Sequence, residues 1–195
     1  DRPLTLVVDA PVPDAVAPVP AAARLLDGDH LVASATASAP LAREAQTPVT
    51  VAAARAAEER YEGLSDHPFP TCFSCGTARD PDDALCLRPG PLDDESNRYA
   101  TSWIPREASV PLVWAALDCP GGWSAGIAGR PMVLGTMTTE VSALPEPGVA
   151  HTVLAWHRGS QGRKHFSGSA LVAPDGRVLA RAEATWIAVA PTTIR

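Results

Sequence analysis

The clearest pattern in the chain is in its second half, where apolar and polar positions set out a run of strands. Residues 98–104 (Arg-Tyr-Ala-Thr-Ser-Trp-Ile) predict a short strand. Pro111 to about Ile127 is apolar almost throughout and predicts a helix, broken at Pro120-Gly121-Gly122. Four β-rich stretches follow, about 132–144, 150–158, 164–173 and 177–189. Pro145-Glu146-Pro147-Gly148 and Pro174-Asp175-Gly176 supply turns between them. A strand, a helix and then four long strands is an α+β order, one helix laid against one curved antiparallel sheet.

The first half is less regular. Leu4 to Val8 predicts a strand, and Pro11, Pro13, Pro18 and Pro20 punctuate a stretch that cannot lie inside a sheet. Leu25-Leu26, the turn at Asp27-Gly28 and Leu31 to Ala37 predict a hairpin. Thr50 to Tyr61 predicts a helix capped by Thr50 and closed by Gly63. Residues 64–94 form an irregular connector carrying Cys and Pro, long enough to be a functional loop or one held by a metal. The two stretches after Asp27-Gly28 and after Asp175-Gly176 echo each other, an aliphatic pair and then alternating alanines. That echo predicts an internal duplication, with the chain before Asp1 extending further in the native gene product.

Composition narrows the classes. Of 195 residues, 46% are hydrophobic and 19% charged, which excludes general disorder. Acidic residues outnumber basic ones by 22 to 16, a net charge of −6, so the basic stripe of a nucleic-acid binder is missing. No apolar run approaches the roughly 20 residues that span a bilayer. Three of the four cysteines, Cys72, Cys75 and Cys86, crowd beside a Cys-x-x-Cys; the fourth is Cys119. This spacing points to metal or redox chemistry rather than a disulfide lattice, and to a reducing cytoplasm. His67-x4-Cys72-x2-Cys75 has the knuckle spacing zinc favours, with Cys86 or Cys119 completing the set. The expected metal ligands are His67, Cys72, Cys75 and Cys86, holding a structural zinc. The alternative is a buried cysteine pair packed with Phe69 and Phe73.

Ala115-Ala116-Leu117-Asp118-Cys119-Pro120-Gly121-Gly122-Trp123-Ser124-Ala125 resembles the central helix of the hotdog-fold acyl-CoA thioesterases. Gly162-Arg163-Lys164-His165 and the segment Asp175 to Ala182 are similar to the last two strands of that fold. His67 to Gly76 is similar to a segment of actinobacterial proteins of the tandem-hotdog type. The resemblance covers roughly residues 98–189. It implies an α+β hotdog fold, here a tandem pair with an incomplete N-terminal repeat. Residues 1–62 are then the repeat remnant plus a helix, 63–95 the connector, and 96–195 the complete hotdog domain.

The resemblance also implies a thioesterase acting on acyl-CoA or acyl-carrier protein, needing no catalytic cofactor, and a homodimer or internal pseudo-dimer. Asp118 is the expected base or nucleophile, because burial in an apolar helix raises a carboxyl pKa toward base work; the alternative is a solvent-facing Asp, or one capping a helix that starts at Pro120. Gly121 and Gly122 are expected at the substrate through close backbone approach. Arg163 and Lys164 are expected to meet CoA phosphates, or else to form an exposed basic turn. One departure stands out: Ser109-Val110-Pro111 occupies the place of the family's His-Gly-Gly, and proline supplies no N–H for an oxyanion. A non-catalytic acyl-thioester binder is therefore the main alternative. A hotdog dehydratase ranks lower, since the helix carries no histidine.

Overall fold

The computed structural model describes residues 3–9, 22–42, 44, 46–94 and 96–190. The proline-punctuated stretch 11–20 lies outside them. The chain divides into two compact units, residues 1–40 and 41–195.

In the first unit, β1 (Thr5–Val8), β2 (Ala22–Asp27) and β3 (His30–Thr36) form an antiparallel sheet in the order β1-β2-β3. The predicted hairpin is β2-β3, its two-residue turn opened by Gly28 at φ +60°.

The second unit begins with α1 (Val51–Glu58), whose Ala53 N–H is capped by Thr50 Oγ1. Its sheet has six antiparallel strands: β4 (Gly90–Pro91), β5 (Arg98–Trp103), β6 (Met132–Val141), β7 (His151–Gln161), β8 (Lys164–Val172) and β9 (Val178–Ala188). Their order is β4-β5-β7-β8-β9-β6, so β6 leaves the central helix and returns to the far edge. That helix, α2 (Val110–Ser124), buries Val113, Ala116 and Leu117 against Val153, Leu171 and Leu179. On the other side of β7, Leu154 and Trp156 pack with Ala54 and Ala57 of α1. This two-sided burial explains the continuous run His151 to Trp156, every residue of which is buried. It also sets the unit boundary: the sequence reading groups residues 1–62, but α1 belongs with the large sheet because its alanines lie against β5 and β7.

One expectation about α2 is corrected. The helix is not broken at Pro120 but runs on to Ser124. Pro120 removes only its own bond to the Ala116 carbonyl, while Ala125 N–H still reaches Gly121 O at 3.1 Å and Ser124 Oγ donates to the same carbonyl at 2.9 Å. The glycines make the close seat on the sheet: a Cβ on Gly121 would stand 2.6 Å from Ser167 Oγ, and one on Gly122 3.1 Å from the Trp186 ring.

Candidate functional site

Helical periodicity sorts the side chains of α2 by direction. Val113, Ala116 and Leu117 take the sheet, leaving Ala115, Cys119 and Trp123 along the face that meets the connector. Ser74 fixes that meeting by donating from Oγ to Ala115 O at 2.5 Å. Asp118 sits between these two faces and opens into a cavity of about 190 Å³. Its walls are largely apolar, formed by Phe69, Trp123, Ile127, Met132 and Trp186. Asp118 Oδ1 is fully buried and has no hydrogen-bond partner among the described residues. Burial, and secondarily the charge on Cys72, push its pKa up to about 7. Two larger depressions, of about 600 and 330 Å³, do not contain Asp118.

The same cavity is floored by sulfur. The Sγ atoms of Cys72, Cys75 and Cys119 all lie within 4.8 Å of one another, with Cys72 and Cys119 at 3.4 Å. Three cysteines are therefore close enough to bind a metal. The connector is folded into a tight knuckle to achieve this: Cys72 N–H donates to Phe69 O at 3.0 Å and Gly76 N–H to Cys72 O at 2.8 Å. Hydrogen bonds from the Cys119 and Cys75 thiols, then from the backbone N–H groups of Cys75 and Ser74, pull the Cys72 thiol well down. Trp123 Nε1 points at Cys75 Sγ at 3.4 Å.

His67 stands at the edge of this group, with Nε2 3.4 Å from Cys75 Sγ and 3.1 Å from Cys75 O. Its Nδ1 accepts the Phe69 N–H at 2.9 Å, which places the ring proton on Nε2. His67 is thus a donor to Cys75 rather than a free lone pair. Cys86 is elsewhere: held at φ +50°, it lines a separate depression, and its thiol faces Arg79 O at 3.8 Å. Of the two cysteines the sequence offers to complete the set, Cys86 and Cys119, it is Cys119 that the structure brings to Cys72 and Cys75. Local spacing could not choose between them, because Cys119 arrives from a helix 47 residues after Cys72.

The remaining expected site residues fall in two places. Gly121 and Gly122 are buried at the helix–sheet contact, where Ser167 and Trp186 approach their backbone. Arg163 and Lys164 are exposed at the β7–β8 turn. Lys164 pairs across Ile187, which in turn pairs with Val133 at the cavity, so the basic turn is at the cavity end of the sheet. At the start of α2, Ser109 Oγ accepts the Leu112 N–H at 3.5 Å and Pro111 occupies the first turn. Two cavity residues, Met132 and Trp186, carried no signal in the sequence beyond being apolar in strands.

No protein-family model matches the chain, and no curated protein matches it. Among solved structures, the E. coli PaaI protein from the phenylacetic acid degradation operon superposes with a TM-score of 0.50 at 11% identity, covering 58% of this chain and 87% of that one. The chain has the hotdog fold. A thioesterase superfamily protein, RHA08564, gives a TM-score of 0.48 at 15% identity; this chain spans 57% of its length, and 55% of this chain is covered. A hypothetical thioesterase from Streptococcus pneumoniae TIGR4, solved with coenzyme A, gives 0.44 at 10% identity over 47% of this chain and 81% of that one. Among the described residues, no helix is long and apolar enough to cross a membrane.

Proposed function

We propose that the chain binds an acyl thioester, of CoA or of a carrier protein, in the cavity beside Asp118 and hydrolyses it. The observation that carries this reading is the buried Oδ1 of Asp118, a carboxylate oxygen with no hydrogen-bond partner among the described residues, on a helix enclosed by a hotdog sheet. An isolated buried carboxylate is costly, and its oxygen is placed to take a proton from water. The water oxygen attacks the thioester carbonyl carbon as Asp118 accepts the proton. The C–S bond then breaks, and the sulfur leaves as a thiolate that is protonated to the free thiol. A cavity of about 190 Å³ suits a short acyl group at the thioester rather than a long chain.

Arg163 and Lys164, at the cavity end of the sheet, are assigned to the anionic part of the carrier. Val133 and Leu134, 42% and 39% exposed on the edge strand β6, border the cavity and are the surface on which a second hotdog unit would complete it. That unit is either another copy or a repeat in the same polypeptide.

Thiol release over short, long and aromatic acyl-CoAs tests the reading. Asp118→Asn should lower turnover by about 100-fold or more while leaving the fold intact, and turnover equal to the parent overturns the assignment. A second reading, non-catalytic binding, is favoured by the start of α2, where Pro111 lacks an N–H and the Ser109 hydroxyl is engaged. Calorimetric binding of CoA esters without thiol release would select it.

A further inference from the structure

The sulfur floor of the cavity asks for a cation. Ligands about 2.3 Å from a tetrahedral zinc stand roughly 3.8 Å from each other. The three thiols, within 4.8 Å of one another and 3.4 Å apart at the closest, already surround such a position. They come from two elements that nothing else in the sequence relates, the knuckle 67–76 and the middle of α2. The donor set is all sulfur, which selects a soft or borderline metal, and zinc adds no redox chemistry.

Hydrogen-bond donors surround two of the three sulfurs. Backbone N–H groups of Ser74 and Cys75 point at Cys72, and the Trp123 indole N–H and the His67 Nε2–H point at Cys75. Donors of this kind orient and stabilise metal-bound sulfur from the second layer. His67 belongs to that layer, because a ring whose Nδ1 accepts the Phe69 N–H has no lone pair left on Nε2. Cys86 is excluded by its contact with Arg79 O. With both removed, three ligands remain among the described residues, and all three line the cavity that Asp118 also lines.

We propose that Cys72, Cys75 and Cys119 hold one Zn²⁺ through three thiolates and turn its fourth coordination position toward the cavity containing Asp118. The site ties the connector to α2, and it leaves a position for water or a small anionic ligand beside the carboxylate. It stands independently of thioester hydrolysis, since it is read from metal content without substrate.

The full chain, purified under reductant without added zinc, should contain about one zinc per chain; less than a tenth of an equivalent overturns the proposal, as does a Cys72–Cys119 disulfide in its place. Cysteine variants can fail to fold, so the parent protein is also titrated with a mercurial thiol reagent while zinc release is followed with a metal-binding dye. Release accompanying thiol blocking supports the site, and zinc that stays bound after all four thiols are blocked sinks it. Cys86→Ser and His67→Gln should keep their zinc. Loss of more than half in either folded variant overturns the ligand set. X-ray absorption should show three sulfurs and one oxygen or nitrogen around the metal, and four sulfurs, or two, would contradict an open position.

Discussion

Cys72 Sγ and Cys119 Sγ lie 3.4 Å apart, and Cys119 is the residue after Asp118 on α2. The connector and the candidate catalytic helix are therefore joined at the turn that presents the acid. A disturbance of the knuckle is felt one residue from Asp118, without any change to the sheet. Gly76 is the position at which that disturbance is easiest to impose.

A Cβ at Gly76 would meet Cys72 O and Pro70 O at 2.5 Å and Cys72 N at 2.6 Å. These are backbone atoms that cannot rotate away, so the knuckle must open. Gly76→Ala should destabilise by about 3 kcal/mol and lower Tm by roughly 6–12 °C. The same variant should lose zinc. Scanning calorimetry with metal analysis on one sample checks both, and an unchanged Tm would show that the knuckle tolerates opening.

Gly121→Ala separates packing from substrate contact. Alanine gains about 1 kcal/mol of helix propensity over glycine. Here the new Cβ would be 2.6 Å from Ser167 Oγ, which accepts the Trp186 indole N–H at 3.2 Å. Overpacking costs about 1–3 kcal/mol, so the net change should be a loss of about 1 kcal/mol. Ser167→Gly makes room, and the double variant should lose less than the two single changes added together. Denaturant titration of all four proteins measures this. Additive losses would mean that Gly121 does not seat the helix on Ser167.

His165 gives the fold a pH dependence of known sign. The ring is 5% exposed and its Nδ1 lies 2.8 Å from Ser160 Oγ. Burial first, then the charges of Arg130 and His157, lower its pKa below the usual 6.5. The unfolded chain therefore binds this proton at a higher pH than the folded one, and stability falls as pH drops from about 6.5 through the folded value. His165→Gln should flatten the slope of Tm against pH between 7 and 5 relative to the parent, whatever its effect at pH 7. Parallel slopes would remove His165 from the acid response.

Much of this was legible because local signals agreed with tertiary need. Pro174-Asp175-Gly176 marks the β8–β9 turn, and Asp118 stands out as the one acid in an apolar helix. The illegible parts depend on distant partners. Pro120-Gly121-Gly122 reads as a break because each residue disfavours helix locally, yet Ser167 and Trp186 need the small surface those glycines provide. Cys86 reads as a ligand because it is near in sequence, whereas Cys119 is near in space. Residues 1–62 read as one block because the Ala-rich face of α1 carries no mark of which sheet it covers.

The strand order also has a kinetic side. β7, β8 and β9 are successive hairpins and can zip from their turns, but β6 must wait, since Met132 pairs with Ala188 and Val141 with Ala180 across the whole hairpin pair. Contacts so far apart in sequence form late. Met132, Val133 and Leu134 line the cavity, so part of its wall is put in place by a strand that docks after the hairpins. The cavity beside Asp118 is thus bounded on one side by the central helix and on the other by an edge strand that docks only after the β7–β8–β9 hairpins have formed.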